Sequence, residues 1–273
     1  MMPMPASSNE IKAANAFSKQ SVLFDLQYAQ NTIVQYKRAR VRTHVNAFLQ
    51  PGGHILELNA GTGEDAVYFA REGHTVHATD ISSGMLNKLK EKVNSKAVTD
   101  KVSVELCSYT SLENLSDKGP FDHIFSNFAG LNCTNELDKV MQSLSPLLKP
   151  GGVVTLVILP KFCLWEFLLI GKGKFRTAVR RFAGEKGARS HIEGEYFTCW
   201  YYNPSYIINQ LKKDFEWLQT EGLCTFVPPS YLTGFAEKYP RAYAWLCRLE
   251  NRYRNAWPWR SIGDYYIISL RRK

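Results

Sequence analysis

Apolar and polar residues alternate along this chain with two different periods. Between Ile11 and Leu49 the apolar positions Phe17, Phe24, Ile33, Val34, Val41, Val45 and Phe48 stand among polar residues in a helical pattern, which Gln50-Pro51-Gly52-Gly53 ends. Short apolar runs follow at 54–59, 75–80, 102–107, 121–127 and 152–159, each with the length of a buried strand. Helical patterns lie between them at 63–72, 83–94 and 134–148. Further on, Pro204–Asp214 reads as a helix, Phe215–Phe226 as a strand and Asp264–Arg271 as the last strand. Residues 1–9 read as disordered. Strand and helix alternating through short connections predict an α/β fold, a Rossmann-like parallel sheet wound on both faces.

The first strand runs into the turn Asn59-Ala60-Gly61-Thr62-Gly63, and the second strand ends on Asp80. Glycines let a backbone approach a ligand closely, and an acid at the end of the second strand can accept from both hydroxyls of a ribose. These features predict a cofactor that carries a nucleoside. Gly61-Thr62-Gly63-Glu64-Asp65-Ala66 also fits the G-x-G-x-x-A turn of a dinucleotide fold, so an NAD-dependent oxidoreductase is an alternative. Glu57 argues against it, because a carboxylate four residues before Gly61 would repel a pyrophosphate. The long helical region before the first strand argues the same way.

These residues resemble the class I S-adenosylmethionine-dependent methyltransferases. Glu57-Leu58-Asn59-Ala60-Gly61-Thr62-Gly63 is similar to that family's first motif, with Asn-Ala in place of Gly-Cys. Asp80 followed by Ile81-Ser82-Ser83-Gly84-Met85-Leu86 is similar to the second. Phe121–Asn127 resembles the fourth strand, and Leu147–Gly152 the turn before the fifth. The resemblance implies S-adenosyl-L-methionine as cofactor, S-adenosyl-L-homocysteine as product, and a sheet of about seven strands whose last is antiparallel. It implies that Ala60 to Gly63 pass under the methionine part, that Glu57 orients this turn or the ammonium group, and that Asp80 takes the ribose. Ile81 and Met85 would flank the adenine. The family often places an acid after the third strand to bond the adenine amino group. This chain has Ser108-Tyr109-Thr110 there, so Ser108 or a backbone carbonyl would substitute and Tyr109 would stack. Asn127 and Phe128 would face the transferred methyl. Of the preceding helix, Tyr28, Tyr36 and Arg38 are candidates to close the site, with Arg38 facing the methionine carboxylate; the alternative is a merely solvated polar face.

Charge divides the chain. Residues 1–160 hold 15 Lys+Arg and 15 Asp+Glu, whereas 161–273 hold 19 and 10, so the net +9 lies in the second part together with all six tryptophans. The segment 161–203 reads as a substrate cap inserted after the fifth strand. Phe162, Trp165, Tyr196, Trp200, Tyr201 and Tyr202 are its candidate pocket residues. Its basic run from Lys172 to Arg189, opposed by Glu185 alone, suggests either peripheral contact with an anionic membrane or an ordinary solvated face. His191 is the one candidate general base, and its alternative is a loop or core histidine. Val227-Pro228-Pro229-Ser230-Tyr231 reads as a rigid turn.

The expected organisation is thus a lid at 1–50, a cofactor-binding core at 51–160, the cap at 161–203, and the rest of the core sheet with a helical insertion at 204–273. Six scattered cysteines without a C-x-x-C pair suggest buried thiols in a reduced, cytoplasmic protein and no metal site. Neither a secretory signal nor a spanning segment is expected. The aromatics follow no RNA-reading motif, and Ser126-Asn127-Phe128 lacks the Pro-Pro-Tyr of amide-type nitrogen methylation, so no nucleic-acid partner is expected. The expected function is methylation of a small, hydrophobic or aromatic acceptor, with oxygen, nitrogen and carbon all open as the methylated atom. A cofactor-binding protein without catalysis is a further alternative.

Overall fold

A computed structural model describes residues 7–273, the Gln27 side chain excepted. The helical N-terminal region is two helices, α1 (Ser8–Ala29) and α2 (Thr32–Asn46), not one run. Asn31 divides them, since its side chain accepts from the Ile33 and Val34 amides and caps α2. Of the segment expected to be disordered, residues 1–6 lie outside the described residues. Ser7 caps α1, accepting from the Glu10 amide, and residues 8 and 9 are helical.

The central alternation gives β1 (His54–Leu58), α3 (Glu64–Arg71), β2 (Thr75–Asp80), α4 (Ser83–Ser95), β3 (Val102–Leu106), β4 (Phe121–Ser126), α5 (Leu137–Leu147) and β5 (Leu148–Ile158). The cap follows as α6 (Leu164–Leu168), α7 (Phe175–Val179) and a hairpin, β6 (Ala188–Ile192) with β7 (Glu195–Cys199). Then come α8 (Pro204–Leu211), β8 (Phe215–Leu223), α9 (Phe235–Lys238), α10 (Pro240–Tyr253) and β9 (Tyr265–Arg272).

Seven strands form one sheet in the order β3-β2-β1-β4-β5-β9-β8. All its pairings are parallel except those of β9, which runs antiparallel to β5 and β8. Ile55, Leu56 and Leu58 of β1 are fully buried because helices cover both faces of the sheet. One core joins α2, α3 and α4 to the sheet, and another joins α5 and α8 to it. Strand order reverses at β1, so the crevice beyond the carboxyl ends of β1 and β4 is where a fold of this kind binds its ligand.

A charged cluster holds the cap in place. Glu166, 1% exposed, accepts from Arg180 at 2.7 and 2.8 Å and from Arg181 at 2.6 and 2.9 Å, and Arg181 also reaches Asp264 at 2.9 Å. Guanidinium groups thereby fill the space between the carboxylates of Glu166 and Asp264, which lie beside Cys163. All six cysteines are free thiols.

Candidate active site

The turn after β1 is built from residues that tolerate a left-handed backbone. Asn59 has φ +48°, a conformation that asparagine adopts more readily than most residues, which explains its standing where the resembled motif has glycine. Its amide bridges to β4, donating to the Asn127 carbonyl at 2.9 Å and accepting from Ser126 Oγ at 2.6 Å. The larger side chain has its counterpart in Gly130, where a Cβ would overlap Asn59. Gly63 begins α3 at φ +77° against Leu89, and a Cβ there would collide with that side chain.

Asp80 ends β2 and ties two turns together. Its carboxylate accepts from the Gly61 amide at 2.9 Å and the Ser82 amide at 2.8 Å. Burial raises its pKa above the ordinary value even though these amides pull it down.

Beyond these strand ends lies a cleft whose walls come from the turn after β1, the end of β2 and α1. Glu57 lines it at 2% exposure, and its Oε2 has no partner among the described residues. Burial and then the Asp65 carboxylate raise the Glu57 pKa well above the usual value, against the pull of Arg38 and Arg42. A carboxyl whose folded pKa is raised binds more protons when folded, so it costs stability as pH rises from its unfolded value toward its folded one. Glu57→Gln, which cannot ionise, is therefore expected to stabilise the ligand-free protein at pH 8, where keeping the wild-type carboxyl protonated or burying its charge costs stability. The gain should vanish near pH 4. Melting curves across that range check it, and a gain that grows on acidification would contradict it.

α1 closes the cleft from above. Ser18 Oγ lies 2.7 Å from Ser82 Oγ, Asp25 accepts from Thr62 Oγ1 at 2.6 Å, and Lys92 bonds Asp25 at 2.8 Å. The same helix brings in Glu10, which sequence reasoning missed. Glu10 Oε2 accepts from Ser108 Oγ and Thr110 Oγ1, both at 3.0 Å. Its Oε1 is buried without a partner among the described residues, and the side chain lines the cleft at 1% exposure. Burial raises its pKa, outweighing those two hydroxyls. The acid absent from the position after β3 is thus present in space, supplied by a helix 98 residues earlier in the chain.

Asp65 is the second residue that sequence reasoning left out. It accepts from Arg38 at 2.8 Å, Arg42 at 2.7 Å and Asn127 Nδ2 at 2.8 Å. Burial raises its pKa, but Arg38 and Arg42 outweigh this and hold it below the ordinary carboxylate value. Arg38, expected to face a ligand carboxylate, therefore already has a carboxylate of the protein, and its guanidinium also lies over the Phe128 ring at 4.9 Å.

A second, larger cavity of about 450 Å³ adjoins the first, and Phe17, Phe24, Arg38, Phe128 and Cys133 line both. α1, α2 and the β6–β7 hairpin enclose it. Phe128 and Ala129, at φ +49° and +61°, turn the chain sharply after β4 and place the Phe128 ring between the two spaces. Such strain in residues other than glycine costs on the order of 1–3 kcal/mol each and clusters where function requires it.

Of the residues read from sequence, Arg38, Glu57, Asn59, Ala60, Gly61 and Thr62 line the first cleft, as do Asp80, Ile81, Met85, Tyr109, Asn127 and Phe128. Gly63 shapes the turn from behind, and Ser108 acts through Glu10. Tyr28 lines the second cavity instead. Tyr36 lies outside both, edge-on to Tyr243 at 6.4 Å, because α2 turns that face toward α10. His191 lines the second cavity, its ring 4.4 Å from that of Tyr196.

The proposed pocket aromatics of the cap require correction, since none of the six lines either cavity. Phe162 packs on Phe167 and Phe182, and Trp165 is half-buried beside it in the chain, at the start of α6. Tyr196 is exposed on the outer face of the hairpin. Trp200 Nε1 donates to the Glu185 carbonyl, Tyr202 Oη donates to the Thr134 carbonyl, and Tyr201 lies under Arg181. Phe162, Trp200 and Tyr201 make these contacts within the cap and Tyr202 ties its end to the chain before α5, whereas Phe17, Phe24, Tyr28, Phe128, Phe197 and Tyr265 line the second cavity.

Comparison with known proteins agrees with this geometry. Residues 55–152 match the family model described as a methyltransferase domain. The chain is similar to the ubiquinone/menaquinone biosynthesis C-methyltransferase UbiE of Vibrio parahaemolyticus, 35% identical over 107 residues, 38% of this chain and 40% of that protein. It is similar to the tRNA 5-carboxymethoxyuridine methyltransferase of Escherichia coli, 29% identical over 103 residues, 38% of this chain and 39% of that protein. The chain spans about two fifths of the length of these curated relatives. Among solved structures, the 1,6-didemethyltoxoflavin-N1-methyltransferase of Burkholderia thailandensis, bound to S-adenosylhomocysteine, shares the fold at a TM-score of 0.57 and 12% identity, with 99% of this chain and 92% of that one covered. The matched stretch, residues 55–152, is the part of the chain in which the first and second motifs meet at one cleft, and it is similar to a methyltransferase domain.

Proposed function

We propose that this protein transfers a methyl group from S-adenosylmethionine to a small, largely aromatic or apolar acceptor held in the second cavity. The observation that carries this reading is the junction of the two cavities at Phe128, with buried carboxylates in one and aromatic walls in the other. The first cleft fits the cofactor. Glu57 Oε2 and Glu10 Oε1 are buried acceptors in need of donors, and a Cβ added at Gly61 would meet nothing within 4 Å, which leaves the backbone open to a ligand. Asp80 would hold the ribose hydroxyls, Glu57 the ammonium, Ile81 and Met85 the adenine faces, and Glu10 the adenine amino group. When bound, the cofactor supplies a methyl group on a sulfonium sulfur. Transfer then demands alignment and exclusion of water. α1 excludes water from above, and Phe128 with Asn127 fixes the passage between the spaces. His191, exposed at the rim of the second cavity with its ring against Tyr196, would take the proton of an acceptor hydroxyl or amine that reached it.

One matched relative is named for action on a tRNA. The aromatic walls of the second cavity, Phe17, Phe24, Phe128, Phe197 and Tyr265, favour a small acceptor here. Thermal melts with S-adenosylhomocysteine beside NADH, followed by transfer of labelled methyl to a panel of small aromatic acceptors, test the reading. Stabilisation by NADH alone would replace it with the oxidoreductase alternative, and cofactor binding without transfer would favour a non-catalytic protein.

The cap carries a second surface. Phe167, Leu168, Phe175, Val179 and Phe182 are exposed, Phe175 by 62%, among the exposed Lys172, Lys174, Arg176 and Lys186. Apolar residues within a basic field suit an anionic bilayer. Among the described residues no helix is long and apolar enough to cross a membrane. We expect flotation with phosphatidylcholine vesicles that contain phosphatidylglycerol, and none with phosphatidylcholine alone. Combining Lys172→Gln, Lys174→Gln and Arg176→Gln should weaken this about a hundredfold, at about 1 kcal/mol for each basic residue. Wild type that stays unbound to both vesicles would refute membrane contact.

A further inference from the structure

Lys37 carries an ammonium group that the fold leaves short of partners. It projects from α2 at 2% exposure and lines the second cavity. Its Nζ donates to Ser230 Oγ at 3.0 Å, the one hydrogen bond it makes among the described residues, although an ammonium has three donors. The nearest carboxylate oxygen, Asp264 Oδ2, is 3.8 Å away, an ion pair beyond hydrogen-bond reach, while the other oxygen of Asp264, Oδ1, accepts from Arg181 at 2.9 Å. The rings of Tyr265 and Phe128 flank Nζ at 4.6 and 5.6 Å from their centroids. Burying a charge is costly unless it is paired, and a cavity-facing charge with open donors calls for an anionic partner.

The rest of the cavity points the same way. Its lining contains Lys37, Arg38, Arg180 and Arg189 and, among the described residues, no Asp or Glu. Arg38 is committed to Asp65 and Arg180 to Glu166, while Arg189 stacks on Tyr196 at 3.7 Å. Lys37 is thus the buried cation with donors to offer. It sits beside Phe128, the ring shared with the cofactor cleft, so a group bound to it lies close to the site of transfer.

We propose that Lys37 and Ser230 form the binding site for an anionic oxygen of an aromatic acceptor, either a carboxylate or a phenolate. The proposal rests on the methyltransferase reading of the adjacent cleft. Ser230 donates its hydroxyl proton to the anion while its oxygen keeps the Lys37 ammonium in place, and Phe128 and Tyr265 bound the aromatic part. This gives a function to the turn after β8, which the Pro228-Pro229 pair marks in the sequence only as rigid.

The test uses equilibrium dialysis of the full-length protein with 2-naphthoate, 2-naphthol and the neutral isostere 2-naphthamide. Wild type should hold naphthoate or naphthol about tenfold more tightly than naphthamide, a preference of about 1.4 kcal/mol. Tighter naphthoate identifies a carboxylate site. Tighter naphthol, with the absorption of naphtholate appearing at neutral pH, identifies a phenolate site. Lys37→Met should remove the preference while leaving naphthamide binding within about twofold, and Lys37→Arg should restore part of it. Ser230→Ala, which leaves the buried cation in place, should reduce it. Binding all three probes equally, or none of them, would overturn the proposal, as would a preference that survives Lys37→Met. S-adenosylhomocysteine stabilisation is measured on the same samples. Its presence shows that the variants fold; its absence from wild type would sink the cofactor reading while the naphthoate comparison still judges Lys37.

Discussion

Asp80→Ala is expected to abolish stabilisation of this protein by S-adenosylhomocysteine. The Asp80 carboxylate stands at the carboxyl end of β2, beside the strand at which the sheet order reverses, and holds the Gly61 and Ser82 amides on either side of the cleft. Removing it takes away the tie that sets the turn and, on the proposed function, the ribose acceptor. Hydrogen bonds to a charged group are worth about 1.5–3 kcal/mol each, so two of them account for at least a hundredfold in affinity. At about a hundred times the wild-type dissociation constant, the ligand should add about 2.7 kcal/mol to wild type and less than about 0.5 kcal/mol to the variant. The ligand-free variant should also melt somewhat lower, because two backbone amides lose their partner; that baseline is read separately. Unchanged affinity by calorimetry would show that Asp80 serves the two turns alone.

What the sequence disclosed depends on how local the cause was. Strands β1 to β5 were legible because each is a short run rich in apolar and β-branched residues bounded by turn residues, most continuous in β1 and β5, where burial on both faces produces that signature. The cofactor turn was legible because a left-handed backbone restricts which residues can occupy it. The division of the N-terminal helix was not, since apolar spacing continues on both sides of Asn31 and only the cap reveals the break. Nor was the β6–β7 hairpin, whose alternating exposed Arg189 and His191 look like part of a basic run. The cap aromatics misled for a physical reason. Composition shows that large rings must be buried, but not whether they face a ligand or, like Tyr202 and Trp200, the underside of their own segment. Asp65 and Lys37 became informative only when tertiary packing showed that one has several partners and the other too few.

Glu10 shows the same limit most clearly and leads to the second large expected effect, a change in which base the cleft accepts. An adenine presents an amino donor where a hypoxanthine presents a carbonyl acceptor, and a carboxylate accepts from the first and repels the second. Wild type should therefore bind S-adenosylhomocysteine about a hundredfold more tightly than S-inosylhomocysteine, a difference of about 2.7 kcal/mol. Such discrimination is available to a site whose buried polar group would otherwise go unpaired. Glu10→Gln offers the base both a donor and an acceptor, so the two ligands should come within about tenfold of each other, chiefly through weaker binding of the adenosine form. Glu10→Ala should weaken the adenosine ligand as well, and should tighten the inosine one by relieving the repulsion of its carbonyl. Because Glu10 belongs to α1, the contact joins base recognition to closure of the cleft. S-adenosylhomocysteine should accordingly protect α1 from proteolysis in wild type and protect it less in Glu10→Gln. If both variants keep the hundredfold preference, Glu10 is a strut between α1 and the Ser108–Thr110 turn, and the amino group of the base must be read by a backbone carbonyl instead.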